Sequence, residues 1–147
     1  MSILADVADA VAEELAAADL SLALAVERRW RPRWDLPESD AEVHAFVVPR
    51  GQTEEPATRS QVALGPDVDV VLVKKLASAA GEEDEEMDGL MDLAGEVAGF
   101  FRLRRLAAYP AAVWTGTARD PAYSPQHLDE LRTFSAAVTL SYRVAAP

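Results

Sequence analysis

TFSAAVTLSYRV, residues 133–144, alternates without a break. Phe134, Ala136, Val138, Leu140, Tyr142 and Val144 fall on one side of an extended chain, and Thr133, Ser135, Ala137, Thr139, Ser141 and Arg143 on the other. A period of two sustained over this length predicts a strand with one face against a core. Strands with one apolar and one polar face belong to largely antiparallel sheets, and the apolar face needs a cover.

Two helical patterns can supply that cover. Leu4, Val7, Ala8, Val11, Leu15 and Ala18 recur at spacings of three and four, with Asp6, Asp9, Glu13 and Glu14 on the wet side and Ser2 as N-cap. The second is GEEDEEMDGLMDLAGEVAGFFRLRRLA, residues 81–107, whose seam is Met87, Leu90, Met91, Ala94, Val97, Ala98 and Phe101. Acid fills its first turn and Arg102, Arg104 and Arg105 its last, an order that suits the helix dipole at both ends.

Between the helices, four segments read as strands: residues 20–27, 42–48, 59–64 and 68–76. The polar stretch PRGQTEEPATRS, 49–60, reads as a long loop or hairpin tip, and Gly65-Pro66-Asp67 as a turn. After Pro110 a short strand is expected in AAVWTGTA, then a turn-rich connection through Asp120-Pro121 and Pro125. The expected order is α-β-β-β-β-α-β-β. This is a single mixed α+β domain over residues 1–147, with two main helices on a largely antiparallel sheet.

Composition narrows function more than it names it. Half the residues are hydrophobic, as in ordinary globular domains, and the formal net charge is -11. Cysteine is absent, which excludes disulfides, thiolate zinc sites and a cysteine nucleophile. No apolar run reaches the roughly 18 residues of a bilayer span. The opening MSILADVADAV lacks a basic n-region, so no secretory signal is expected.

RRWRPRW, 28–34, interrupts this acidic chain with four arginines and two tryptophans. Charge interleaved with flat rings is what a single-strand nucleic-acid binder uses. Alternation after a strand, however, sends Arg28 and Trp30 one way and Arg29 the other, and Pro32 then forces a turn. The charges diverge, which disfavours a phosphate-tracking surface. Trp and Arg are also the side chains most enriched at protein interfaces. Arg28, Arg29, Trp30, Arg31 and Trp34 are therefore the candidate subunit or partner interface, with an acidic stretch such as residues 82–86 of a neighbouring copy as a possible counterpart.

No other cluster makes a catalytic constellation. Glu82, Glu83, Asp84, Glu85 and Glu86 lack EF-hand spacing and read as a solvated helix start. Asp67 and Asp69 share a strand face, and with Lys74 and Lys75 they are faintly similar to a metal-dependent nuclease core, but the acid two before the lysine is missing. His44 and His127 are far apart, without carboxylate-histidine spacing for a metal. No Gly-x-Ser-x-Gly elbow and no glycine-rich phosphate loop occurs. No enzymatic activity, metal or cofactor is expected.

Taken over most of its length, the chain resembles the tail terminator (tail completion) proteins of long-tailed bacteriophages and prophages. The stretches that carry the resemblance are ILADVADAVAEEL (3–15), ERRWRPRWDLPE (27–38), EVHAFVVPR (42–50), DVDVVLVKKL (67–76), EEDEEMDGLMDLAGEVAGFFR (82–102) and DPAYSPQHLDELRTFSAAVTLSYRV (120–144). The resemblance implies a virion protein, assembled in host cytoplasm, that forms a ring, usually a homo-hexamer. Such a ring caps the head-proximal end of the tail tube, stops its polymerisation and meets the head-tail connector. DNA passes through its lumen without specific binding, and no membrane is involved. A wall that repels phosphate suits that conduit, and so does the negative charge. The alternatives are a neck or head-completion protein, a small metal-dependent nuclease on Asp67, Asp69 and Lys74, and a single-strand binder on Trp30 and Trp34.

Overall fold

A computed structural model describes residues 2–79, 81–119 and 122–147. Helix α1 (Ile3–Ala16) leads into β1 (Leu24–Arg28), β2 (Val43–Pro56), β3 (Val62–Lys75), α2 (Asp84–Phe101), β4 (Val113–Ala118), α3 (Pro125–Leu131) and β5 (Thr133–Ala145). The class is α+β, with three helices and a five-stranded, mostly antiparallel sheet in the order β1-β2-β3-β5-β4.

β5 lies inside the sheet, between β3 and β4, and both neighbours run antiparallel to it. Its even-numbered residues from Phe134 to Val144 are all buried, as the alternation predicts. Against them pack Val7, Val11 and Leu15 of α1 and Leu90, Leu93, Ala94, Val97 and Phe101 of α2, together with Val43, Ala45, Val47, Val68, Val70 and Leu72. Ser2 caps α1 by accepting the Ala5 N–H at 3.2 Å.

Several boundaries differ from the expectation. Residues 65–67 do not turn: β3 runs straight through them, Pro66 opposite Gln52 and Asp67 opposite Gly51. Two expected strands are therefore one, and the order becomes α-β-β-β-α-β-α-β. β2 likewise continues through residues 49–56 after a register shift between Pro49 and Gly51. The real tip is residues 57–61, where the Ala57 and Thr58 amides both donate to the Gln61 carbonyl. α2 stops at Phe101, so the three arginines lie beyond the helix and not in its last turn. Residues 20–23 precede β1 rather than belonging to it.

SPQHLDEL, expected as loop, contains α3. Ser124 accepts the His127 N–H at 3.3 Å and Pro125 starts the helix, a pairing that suits N-cap and first turn. Asp120 and Pro121 of the expected connection lie outside the described residues.

β1 is the one parallel neighbour: residues 24–28 pair with 43–47 of β2. A parallel pair needs a crossover that passes over a sheet face. Helices α1 and α2 occupy one face, so residues 29–42 cross the other, and this decides where the arginine-tryptophan run goes.

Candidate functional site

The crossover divides RRWRPRW between two sides of the sheet. Arg28, still on β1, donates through Nε to Asp9 of α1 at 2.8 Å and stacks over the Trp30 ring at 4.9 Å. Arg29 turns the other way to Glu27, at 3.3 Å. Arg31 is exposed, and Trp30 projects with 63% of its surface in solvent. Trp34, by contrast, is drawn onto the face opposite the helices, where it packs with Leu36, Phe46, Val71 and Val73. The charges do diverge, as strand geometry requires.

Trp34 forms one wall of a cavity of about 350 Å³ on that face. Pro32, Val48, Val71 and Ala137 supply further apolar wall, and α3 closes one side. His127 of α3 lies against the Trp34 ring with centroids 4.3 Å apart, and its Nδ1 is hydrogen-bonded to Ser135 Oγ at 2.7 Å. Asp69 reaches the rim, where it accepts the Thr139 hydroxyl at 2.6 Å and Arg50 approaches within 3.5 Å.

A serine beside a histidine invites comparison with a nucleophile and its base. Here the serine is buried in the sheet and holds the histidine by Nδ1, and no carboxylate bonds the ring among the described residues. The pair fastens α3 to β5. It lacks the third group that a triad needs to orient the base.

Asp67 and Asp69 share a face, as expected, but Lys74 is on the other face. It donates to Glu86 of α2 at 2.8 Å, while Lys75 reaches the Leu131 carbonyl at the end of α3. Carboxylates and lysine on opposite faces cannot converge on one phosphate. The nuclease reading loses its geometry.

The acidic run is also divided. Glu86 turns inward: burial alone would raise its pKa, but Lys74 and the amides of Ala77 and Ser78 outweigh it and lower the value to about 2. Glu83 accepts the Gly81 amide at 2.7 Å, leaving Glu82, Asp84, Glu85, Asp88 and Asp92 exposed. Glu14, assigned to the wet side by periodicity, is held below the usual carboxylate range by the Ala107 amide, burial opposing, and by Arg104.

His44 and His127 have separate partners. His44 Nε2 lies 2.8 Å from Asp40, whose pKa burial raises but the Glu42 amide and His44 lower on balance. Among the described residues, donor atoms of Asp40, Glu42 and His44 fall within 4.8 Å of one another, a set that could hold a cation. The signal was present as Asp-x-Glu-x-His, a spacing that puts every second side chain of an extended chain on one face. Arg33 shares that space as a competing positive charge on Asp40.

Two residues went unmarked in the sequence and stand out in the fold. Leu103 is 84% exposed at φ 57, and Val113, at the start of β4, is 60% exposed. No described helix is long and apolar enough to cross a membrane. A scan against protein-family models matched none, and a search of curated proteins found no match to this sequence.

Proposed function

We propose that this protein is a structural virion component: a homo-hexameric ring that caps the head-proximal end of a phage tail tube, ends its polymerisation and joins it to the head-tail connector. The reading rests on the chain-long sequence pattern. The observation that carries it is the position of exposed apolar side chains. Trp30 follows β1, one edge of the sheet, while Leu103 and Val113 lie at or beside β4, the other edge. Two different patches at opposite edges suit head-to-tail contacts, and these close into rings when the rotation permits. The net charge of -11 suits a lumen that DNA traverses without sticking.

Adding the protein to polymerising tube subunits tests this directly. Tubes should stop at shorter lengths and show a ring at one end by electron microscopy. Unchanged tube lengths, or rings found on filled heads instead of tubes, would overturn the reading.

A further inference from the structure

The turn after α2 carries a residue that a free-standing surface does not favour. Arg102 has φ -60 and ψ 121, Leu103 has φ 57, and the Arg104 amide donates to the Phe101 carbonyl at 3.1 Å. These are the angles and hydrogen bond of a type II turn, whose third position calls for glycine or asparagine. Leucine there meets a steric cost from its Cβ and exposes almost its whole apolar side chain to water. Both costs are offset if something covers the side chain.

Leu103 borders a groove of about 190 Å³ whose other walls are Arg104, Arg105, Ala112, Val113 and Trp114. The outer edge of β4 runs beside it and, among the described residues, has no strand partner in the sheet. Arg104 is engaged by Glu14 and stacked on Phe100, whereas Arg102 and Arg105 are exposed and make no ion pair among the described residues. The result is an apolar centre with a basic rim.

We infer that this patch binds a second copy of the chain, through the exposed acids Glu82, Asp84, Glu85, Asp88 and Asp92, which run from just before that copy's α2 to its midpoint. Charge complementarity selects this partner. Helix α2, 18 residues and about 27 Å long, carries the acids on its N-terminal half, and the patch follows its C-terminus. Each copy therefore carries both halves at different places, and the contact repeats head to tail. The other arginine run is a poorer counterpart for the acids, because Arg28 and Arg29 already pair with Asp9 and Glu27. This inference rests on the ring reading and names one of its contacts.

Sedimentation velocity on the full chain, from micromolar to near-millimolar at low and high salt, tests it. The wild type should form a closed multi-subunit species that weakens as salt rises. Leu103→Asp or Val113→Asp should weaken association at least tenfold, in the range of interface anchors. Leu103→Gly should do likewise while raising the thermal midpoint, because glycine relieves the turn; a residue needed only for folding would lower both. Arg102→Glu with Arg105→Glu should abolish assembly, and mixing that variant with an Asp88→Lys, Asp92→Lys chain should restore a mixed pair contact.

A ring that persists in all these variants overturns the inference and leaves the ring reading standing. A wild type that stays monomeric throughout overturns the self-contact, whatever the tube assay shows. Tube binding lost with Leu103→Asp in a monomeric protein would assign the patch to the tube protein instead, again against the inference.

Discussion

The two faces of the sheet are built on different terms. On the helix face, α1 and α2 cover every strand they reach with one continuous apolar cluster. On the opposite face the buried apolar cluster, among the described residues, is Leu36, Phe46, Val71 and Val73, under Trp34 and beside a cavity. Cover comes there from a crossover with no regular structure and from the short helix α3. Stability is concentrated on one side of the sheet, and room for contacts on the other and at the edges.

The largest expected effect tests the closed face. Phe101 is fully buried in the main cluster, so Phe101→Ala should cost about 3–5 kcal/mol in chemical denaturation. A cost below about 1 kcal/mol would mean that the helix face is not where stability resides.

Glu86 gives the next effect, because it ties α2 to the end of β3. Its folded pKa of about 2 lies below the ordinary glutamate value of 4.5. The stabilisation is therefore complete above pH 4.5 and is lost as the pH falls toward 2. Its size is on the order of 3 kcal/mol. Glu86→Gln should lose about that much at neutral pH, and the gap between variant and wild type should close by pH 2. A gap independent of pH would assign the loss to packing.

The smallest effect belongs to the open face. Trp34→Ala should cost about 1–2 kcal/mol, less than a fully buried aromatic, because Trp34 borders a cavity and is half-buried. Hydrogen exchange should show residues 29–42 and α3 opening faster than α1 and α2 in the wild type, and faster still in this variant. Equal protection on both faces would erase the contrast.

Much of the fold was legible because patterns of two and of three to four survive in the chain. Every expected inward residue of β5 is buried, with Thr133 and Ser135 of the other face buried as well; on α1 Val7, Ala8, Val11 and Leu15 of the seam are buried, Leu4 only partly, and Ala10 joins them from outside the seam. Misreadings arose where a local signal met a long-range partner. Gly65-Pro66-Asp67 reads as a turn alone, yet pairing with β2 on one side holds the segment extended. Polar residues 50–56 read as a loop because outer-hairpin side chains face water on both sides, so no alternation marks them. The α3 start was visible in Ser124-Pro125 and was lost among the neighbouring turn residues.

The candidate site was legible as parts and not as a whole. Trp34, His127 and Asp69 each attracted notice, but their sequence positions do not tell that one cavity gathers all three. Leu103 was invisible, because only its backbone angle separates it from an ordinary helical leucine.

By itself the chain determined which face of β5 and of α1 turns inward, the absence of thiol chemistry, and the splitting of the arginine run. These follow from covalent geometry and periodicity, which act between near neighbours. The tertiary structure alone decided that β1 runs parallel to β2, that the crossover therefore covers the second face, and that Trp34, His127 and Asp69 meet at one cavity. Those outcomes depend on which strands pair, a choice made by free energy summed over residues far apart in the chain.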